Sequence, residues 1–350
     1  MICLEGSSKI RVVVVLFNGC IIDDMYSSMV LIRLLINVIL WEVLIDARTV
    51  SVSHTRASDV KYFESELDTN LGYWSPSTSS IDWCERNYVV TRYIAEFWNC
   101  LSSFSMCLLG GILFVRGLRN KIEHRFLFSS LGFVLVGLGS AYFHGTLTHL
   151  GQMADELPMV YSMIVWWFIL FKMNEFQKIN NEIFAIDMSV LFGIFYAFLW
   201  TYVHSLQTFV LIFQAHMSLM VLGGVIKLIF LYRQSHHHVH RLKYFLMVYV
   251  TLLVVAFVSW IVDQQLCEEL NERSPFNPQL HAWWHVFGAV HCHLGIVCGE
   301  AMRLLSIKHQ QHQLSKKHFK PEDHIQIVYH FGLPYVDYSH QTNSIRAKTQ

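Results

Sequence analysis

Seven long apolar stretches dominate this sequence of 350 residues. A helix needs about 20 mostly apolar residues to cross the hydrocarbon layer of a bilayer, and each stretch is close to that length. The chain is 53% hydrophobic and 15% charged, whereas an average soluble domain is about 25% charged. We therefore predict an all-α polytopic membrane protein, a seven-transmembrane-helix bundle. The predicted spans are Tyr93–Val115, Phe126–Thr146, Met153–Phe171, Ile183–Val203, Thr208–Leu231, Tyr244–Ile261 and Leu280–Leu305.

Basic residues between the spans predict the orientation of the bundle, because positively charged loops stay in the cytosol. Lys and Arg follow the first, third and fifth spans, as at Arg116, Lys172 and Arg233, and are sparse in the opposite loops. The N-terminal end of the bundle is thus expected in the lumen and the C-terminus in the cytosol. The 26 basic residues equal the 26 acidic ones, so no basic field supports nucleic-acid binding.

Three regions are predicted along the chain: an extension at 1–71, a membrane domain at 72–306 and a cytosolic tail at 307–350. The extension has three interpretations, namely a signal anchor or extra helix near Met29–Ile45, a cleaved or poorly ordered segment, and a translation start further along the chain. The polar tail is expected to be mobile. Its patch Phe331–Val336 is the part that could dock against the bundle.

Ionisable side chains are costly inside a membrane, so each is a functional candidate. Three predicted helix ends place such groups at the same lumenal depth. His144 ends the second span, with Ser140 one turn earlier, and Asp155 begins the third span. His281 and His285 begin the seventh span. Because these two histidines are four residues apart, they share one helix face and can grip one ion.

This group of side chains predicts a buried metal site. Three neutral histidine nitrogens with an open fourth position are the arrangement of a catalytic zinc site, in which hydroxide is available near pH 7 for attack on a carbonyl. Ser140 is then suited to stabilise an oxyanion and Asp155 to move protons. Asp263, at the end of the sixth span, is expected to support a metal-binding histidine without binding the metal itself. The alternative is that each group makes an ordinary interhelical hydrogen bond.

A second polar cluster precedes the first span. It consists of Asp82, Glu85 and Asn87, followed by Glu96. Oxygen ligands close together in a turn, with a carboxylate from the next helix, suit Ca²⁺. The same spacing also fits an acidic segment that caps the first helix. Cys84 and Cys267 both fall on the predicted lumenal side, where a bridge can form.

Other polar groups have simpler explanations. Four histidines after the fifth span are expected in a solvated loop: His236, His237, His238 and His240. A further set is expected to make hydrogen bonds between helices: Asp187, His204, His216, His291 and His293. A haem-binding electron carrier is disfavoured, because the spans lack two histidine pairs that face each other.

Several of these segments together resemble the alkaline ceramidase family. The resemblance covers about residues 72–306, with the motifs in the family's order. They are Gly72-Tyr-Trp-Ser-Pro76, Asp82-Trp-Cys-Glu85, Ala95-Glu-Phe-Trp-Asn99, Gly139-Ser140 with Phe143-His144, Asp155-Glu-Leu-Pro158, Asp263 with Leu266-Cys-Glu268, and His281-Ala-Trp-Trp-His285. The wider superfamily contains adiponectin and progestin receptor-type proteins, so a receptor-like member with little or no hydrolase activity is the alternative.

The resemblance implies hydrolysis of the amide bond of ceramide to sphingosine and a fatty acid, in an ER or Golgi membrane. It implies Zn²⁺ as catalytic cofactor and Ca²⁺ as structural or activating cofactor. The zinc ligands would be His144, His281 and His285. Ser140 would stabilise the oxyanion, and Asp155 would transfer protons. The calcium ligands would be Asp82, Glu85, Asn87, Glu96 and the carbonyl of Trp83. Cys84 and Cys267 match the family's lumenal disulfide.

Overall fold

The computed structural model describes residues 72–173, 195, 209–234, 240–273, 277–315, 326–330 and 332–337. The described part is mostly helical. Its helices are α1 Phe97–Asn120, α2 His124–Thr146, α3 His149–Phe171, α4 Phe209–Gln234, α5 His240–Gln265, α6 Cys267–Arg273 and α7 Leu280–Ser315. The predicted extension and almost all of the predicted fourth span lie outside the described residues.

Five of these helices are long and apolar enough to cross a membrane: Phe97–Asn120, His124–Thr146, His149–Phe171, Phe213–Arg233 and Leu242–Gln265. They coincide with five of the predicted spans, and they support an integral membrane protein. The predicted seventh span falls within α7, which begins at Leu280 as expected but continues to Ser315.

The first span begins later than predicted. Thr91 and Ile94 pair in a short β-bridge, and Glu96 has extended backbone angles, so α1 starts at Phe97 rather than at Tyr93. At its other end, α1 runs to Asn120. Lys121 then adopts a left-handed conformation with φ of 52°, which closes the helix.

The helices pack so that α2 lies between α1 and α3, and α7 contacts both α1 and α5. The α1–α2 contact is close at Gly137, where a Cβ would lie 2.8 Å from the backbone nitrogen of Cys107. The main hydrophobic cluster joins α3, α4, α5 and α7, with members such as Trp166, Leu228 and Phe245. This packing brings the beginning of α7 next to the end of α2.

A two-stranded hairpin follows α7, formed by β1 Gln326–His330 and β2 Leu333–Asp337. Tyr335 is 3% exposed and belongs to the main hydrophobic cluster. Arg116 lies 4.3 Å from the centre of its ring, and His293 Nε2 lies 3.1 Å from the carbonyl oxygen of Pro334. The all-α prediction misses this hairpin, and the tail expected to be mobile is helical to Ser315. Apolar side chains of β2 provide the reason, because they are buried against the bundle.

Candidate metal centre

Three buried histidines meet at one end of the bundle. His144 lies in the last turn of α2, and His281 and His285 lie in the first two turns of α7. Their ring centroids are 4.6 to 5.0 Å apart, and one nitrogen of each lies within 4.8 Å of the others. Each side chain is less than 5% exposed. The group can therefore hold a metal ion.

The free nitrogens of these rings fit a metal. Nε2 of His144 and Nδ1 of His281 are buried without a hydrogen-bond partner among the described residues. A buried polar atom left unpaired costs about 1–3 kcal/mol, and a bound cation would remove that cost. On its other side, Nδ1 of His144 contacts the Glu96 carboxylate. A carboxylate is a typical partner of a metal-binding histidine, because it fixes the ring and its tautomer.

The ring of His285 is held by α1. Its Nδ1 lies 2.8 Å from Ser102 Oγ and 3.2 Å from the carbonyl oxygen of Asn99. Its Nε2 lies 3.5 Å from Ser140 Oγ. Ser102 was not among the predicted site residues, because a serine inside an apolar helix gives no sign of which neighbouring helix it contacts.

Ser140 and Asp155 join α2 and α3 to this group. The Ser140 hydroxyl hydrogen-bonds the Asp155 carboxylate and lies 3.0 Å from Ser103 Oγ. The two helices approach closely at Gly139, where a Cβ would collide with the carbonyl of Ala154. The structure thus places Ser140 beside His285 and Asp155 beside Ser140.

A cavity of about 290 Å³ extends from these residues into the bundle. Ser140, Asp155, His281 and His285 line one part of it. The other walls are largely apolar and include Phe133, Met163, Phe213, Met217, Phe257 and Trp284. A largely apolar cavity with a few polar groups is typical of a small-molecule site.

The segment predicted to bind calcium lies directly before α1. Glu85 accepts hydrogen bonds from the backbone N–H groups of Trp98, at 2.7 Å, and Asn99, at 2.9 Å. It therefore caps the first turn of α1, as the alternative interpretation of the acidic segment proposed. Glu96 accepts from the N–H of Trp83 at 3.0 Å and from the side chain of Asn99 at 3.1 Å.

The same segment offers oxygen atoms to a cation. Asn87 Nδ2 lies 3.1 and 3.3 Å from the two carboxylate oxygens of Asp82, and its buried Oδ1 has no partner among the described residues. Burial raises the pKa of Glu85 and of Glu96 to about 7. A cation beside them would stabilise the charged carboxylates. This donor set suits a hard ion such as calcium.

Two contacts connect this segment to the histidine group. One is the bond between Glu96 and His144. The other is a stack of Trp83 on His281, with ring centroids 3.6 Å apart and planes at 20°. The segment before α1 and the residue that starts the helix thus contact two of the three histidines directly.

A disulfide joins the same segment to α6, and a buried carboxylate of α5 joins it to the start of α7. Cys84 and Cys267 form the disulfide, with Cα atoms 5.3 Å apart. Asp263 accepts from the N–H of Cys84 and from the N–H of His281, both at 3.1 Å. Asp263 was expected to support a metal-binding histidine, and it does so through the backbone N–H of His281 rather than through the imidazole ring. The first N–H groups of a helix need acceptors, which explains this contact.

The other predicted polar contacts are partly visible. His291 Nδ1 lies 2.8 Å from the carbonyl oxygen of Tyr249 and so connects α7 to α5 as expected. His293 contacts the hairpin rather than another helix. Some of the predicted residues lie outside the described ranges: Asp187, His204, His236, His237 and His238.

The fold and the site define a mostly helical integral membrane protein with a buried three-histidine group beside an apolar cavity. The Ceramidase family model matches residues 75–334. Mouse alkaline ceramidase 3 is 30% identical over 247 residues, covering 68% of this chain and 89% of the mouse protein. Alkaline ceramidase of Arabidopsis thaliana is 31% identical over 215 residues, which cover 61% of this chain and 80% of the plant protein. Alkaline ceramidase YPC1 of Saccharomyces cerevisiae is 29% identical over 253 residues, which cover 67% of this chain and 80% of the yeast protein. The chain belongs to the ceramidase family of hydrolases, which confirms the resemblance seen in the sequence.

Proposed function

We propose that this protein is a zinc-dependent ceramidase that hydrolyses the amide bond of ceramide to sphingosine and a free fatty acid. The observation that carries the proposal is the three-histidine group beside Ser140 and Asp155 at an apolar cavity. Its relatives in mouse, Arabidopsis and yeast are named alkaline ceramidases. Three neutral imidazoles suit zinc better than calcium or magnesium, which prefer oxygen ligands.

The residues around the metal divide the work of amide hydrolysis. When bound by His144, His281 and His285, zinc supplies a Lewis acid that polarises a carbonyl and makes water nucleophilic near neutral pH. Ser140 donates a hydrogen bond to the amide oxygen as it gains negative charge. Asp155 takes a proton from the attacking water and returns it to the nitrogen of the leaving amine.

The apolar walls of the cavity suit the hydrocarbon part of ceramide. Their Phe, Met and Trp side chains offer apolar contact to an aliphatic chain, while the scissile amide lies at the polar part. Ceramide can reach this position sideways from the bilayer. Exclusion of bulk water from the cavity strengthens the electrostatic interactions that stabilise the developing charge.

Calcium has a structural role in the proposal. The oxygen atoms of Asp82, Glu85, Asn87 and Glu96 would bind it, together with the carbonyl of Trp83. The ion would hold the segment before α1 in place. Glu96 and Trp83 would then keep His144 and His281 in position through their direct contacts.

The proposed location is an ER or Golgi membrane, with the metal centre on the lumenal side and the C-terminus in the cytosol. The basic residues after the first, third and fifth predicted spans support this orientation. The Cys84–Cys267 disulfide also supports it, because disulfides persist in oxidising compartments.

Zinc content and sphingosine release from the purified full-length protein test the proposal. Wild type is expected to contain zinc and to release sphingosine, and His281→Ala is expected to lose both. His124→Ala is the matched control, because His124 is exposed at the other end of α2. Protein that contains stoichiometric zinc yet releases no sphingosine from ceramide, with or without Ca²⁺, would contradict the proposal and favour the receptor-like alternative.

A further inference from the structure

Glu156 is a buried carboxyl group that the proposed mechanism does not use. It follows Asp155 on α3, is 6% exposed and lines the same cavity. An ionisable side chain inside a membrane span is costly, so its presence calls for a function. Its neighbours in the cavity include Ile81 of the segment before α1 and Met159 of α3.

Protein contacts hold Glu156 through one of its two oxygens. Its Oε1 accepts from Gln152 Nε2 at 2.9 Å. Gln152 is itself fixed, because its Oε1 accepts from the backbone N–H of Ser80 at 2.9 Å and from Ser80 Oγ at 3.0 Å. The Oε2 atom of Glu156 is buried without a partner among the described residues. A firmly held carboxyl group thus leaves one oxygen for a ligand.

The position of Glu156 relative to Asp155 indicates what that ligand is. Adjacent residues on a helix point about 100° apart, so the two carboxyl groups approach the cavity from different directions. Asp155 contacts Ser140 on α2, whereas Glu156 is connected through Gln152 to the segment before α1. Both carboxyl groups line the same cavity, so a molecule whose amide lies at Asp155 can place beside Glu156 a polar group a few bonds away from that amide.

Ceramide has two such groups. The carbon that bears its amide nitrogen lies between two carbons that each carry a hydroxyl. A hydroxyl can donate to a carboxylate, and it can also accept from a protonated carboxyl group. A substrate that lacks the hydroxyl bound by Glu156 would leave the buried Oε2 atom unpaired. A site of this kind discriminates strongly against such an analogue.

We propose that Glu156 binds a hydroxyl group of the sphingoid part of ceramide and thereby selects amides of amino alcohols over amides without that hydroxyl. This inference rests on the proposed function and names the group of the substrate that is recognised beside the scissile bond. Glu156 is a specificity-determining residue, whereas Gln152 and Ser80 position it.

The test compares ceramide with two analogues of the same chain lengths, one without the 1-hydroxyl and one without the 3-hydroxyl. Full-length wild type is expected to prefer ceramide over at least one analogue by about tenfold to a hundredfold in kcat/KM. Glu156→Met keeps the size of the side chain. Its kcat/KM for ceramide is expected to fall by about the same tenfold to hundredfold, while its kcat/KM for that analogue is expected to stay within about threefold of wild type. Glu156→Gln is expected to keep part of the preference.

Several results would overturn the proposal. An equal loss on ceramide and on both analogues in Glu156→Met would show that Glu156 only supports the fold through Gln152. Wild type that hydrolyses all three amides equally well would overturn it however the variants fold. Ser162→Ala is the control, because Ser162 also lines the cavity with a buried unpaired hydroxyl among the described residues. A preference lost in that variant and kept in Glu156→Met would move the recognition to Ser162. If the proposed function itself is wrong, the result differs, because wild type would then release no sphingoid base from ceramide or from either analogue.

Discussion

Replacing Asp263 with alanine is expected to release the start of α7 from the segment before α1. The Asp263 carboxylate is 1% exposed and accepts from the N–H groups of Cys84 and His281, each at 3.1 Å. Alanine leaves both of these N–H groups without that acceptor. A buried donor without a partner costs about 1–3 kcal/mol, so the two together lower the free energy of unfolding by about 2–6 kcal/mol.

The same substitution is expected to weaken metal binding. His281 is one of the three histidines, and Asp263 holds its backbone. Loss of a group that orients a metal ligand typically lowers metal affinity about 10- to 100-fold. Asp263→Asn keeps the size and one acceptor oxygen, so its effects on stability and on affinity are expected to lie between those of wild type and of the alanine variant.

Thermal unfolding in detergent and zinc retention against a graded series of chelator concentrations measure these two effects. Glu268→Ala is the matched control, because this carboxylate is exposed on α6 a few residues further along the chain. Its midpoint of unfolding and its zinc content are expected to equal those of wild type. If Asp263→Ala also matched wild type in both measurements, the reasoning from the two backbone hydrogen bonds would be refuted.

Three further variants test other contacts. Glu96→Gln removes the carboxylate from His144 and is expected to lower metal affinity about 10- to 100-fold in a chelator competition; an unchanged affinity would contradict the contact. Replacing Cys84 and Cys267 by serine removes a link between residues 183 apart and is expected to lower the free energy of unfolding by about 2–5 kcal/mol in denaturant titrations, with equal stability as the contrary result. Tyr335→Ala removes a buried ring from the hairpin, so a loss of about 3–5 kcal/mol is expected, with kcat/KM for ceramide within about twofold of wild type; equal stability would show that the hairpin does not stabilise the bundle.

The five long apolar helices among the described residues were largely predictable, because each one keeps an apolar composition over many residues. A span of about 20 apolar residues identifies itself without knowledge of its neighbours. The exact ends were not predictable in this way. Tyr93 belongs to an apolar run but precedes the helix, because it lies in the turn between the bridged residues Thr91 and Ile94. The hairpin was missed because its strands have only five residues each.

The site was predictable where residues share one helix. His281 and His285 are four apart, so any helix places them on one face. Contacts between helices carried no comparable signal. Nothing in the sequence around Ser102 indicates that it holds the ring of His285, and nothing around Asp263 indicates that it accepts from two backbone N–H groups.

The sequence by itself determined that the chain forms apolar helices, that two histidines share the start of α7, and that the chain resembles ceramidases. These properties depend on local spacing and composition, which packing does not alter. Only the tertiary structure decided that Glu96 contacts His144, that Trp83 stacks on His281, and that one oxygen of Glu156 is left without a protein partner among the described residues. Such contacts join distant parts of the chain, and their geometry depends on how the helices approach one another.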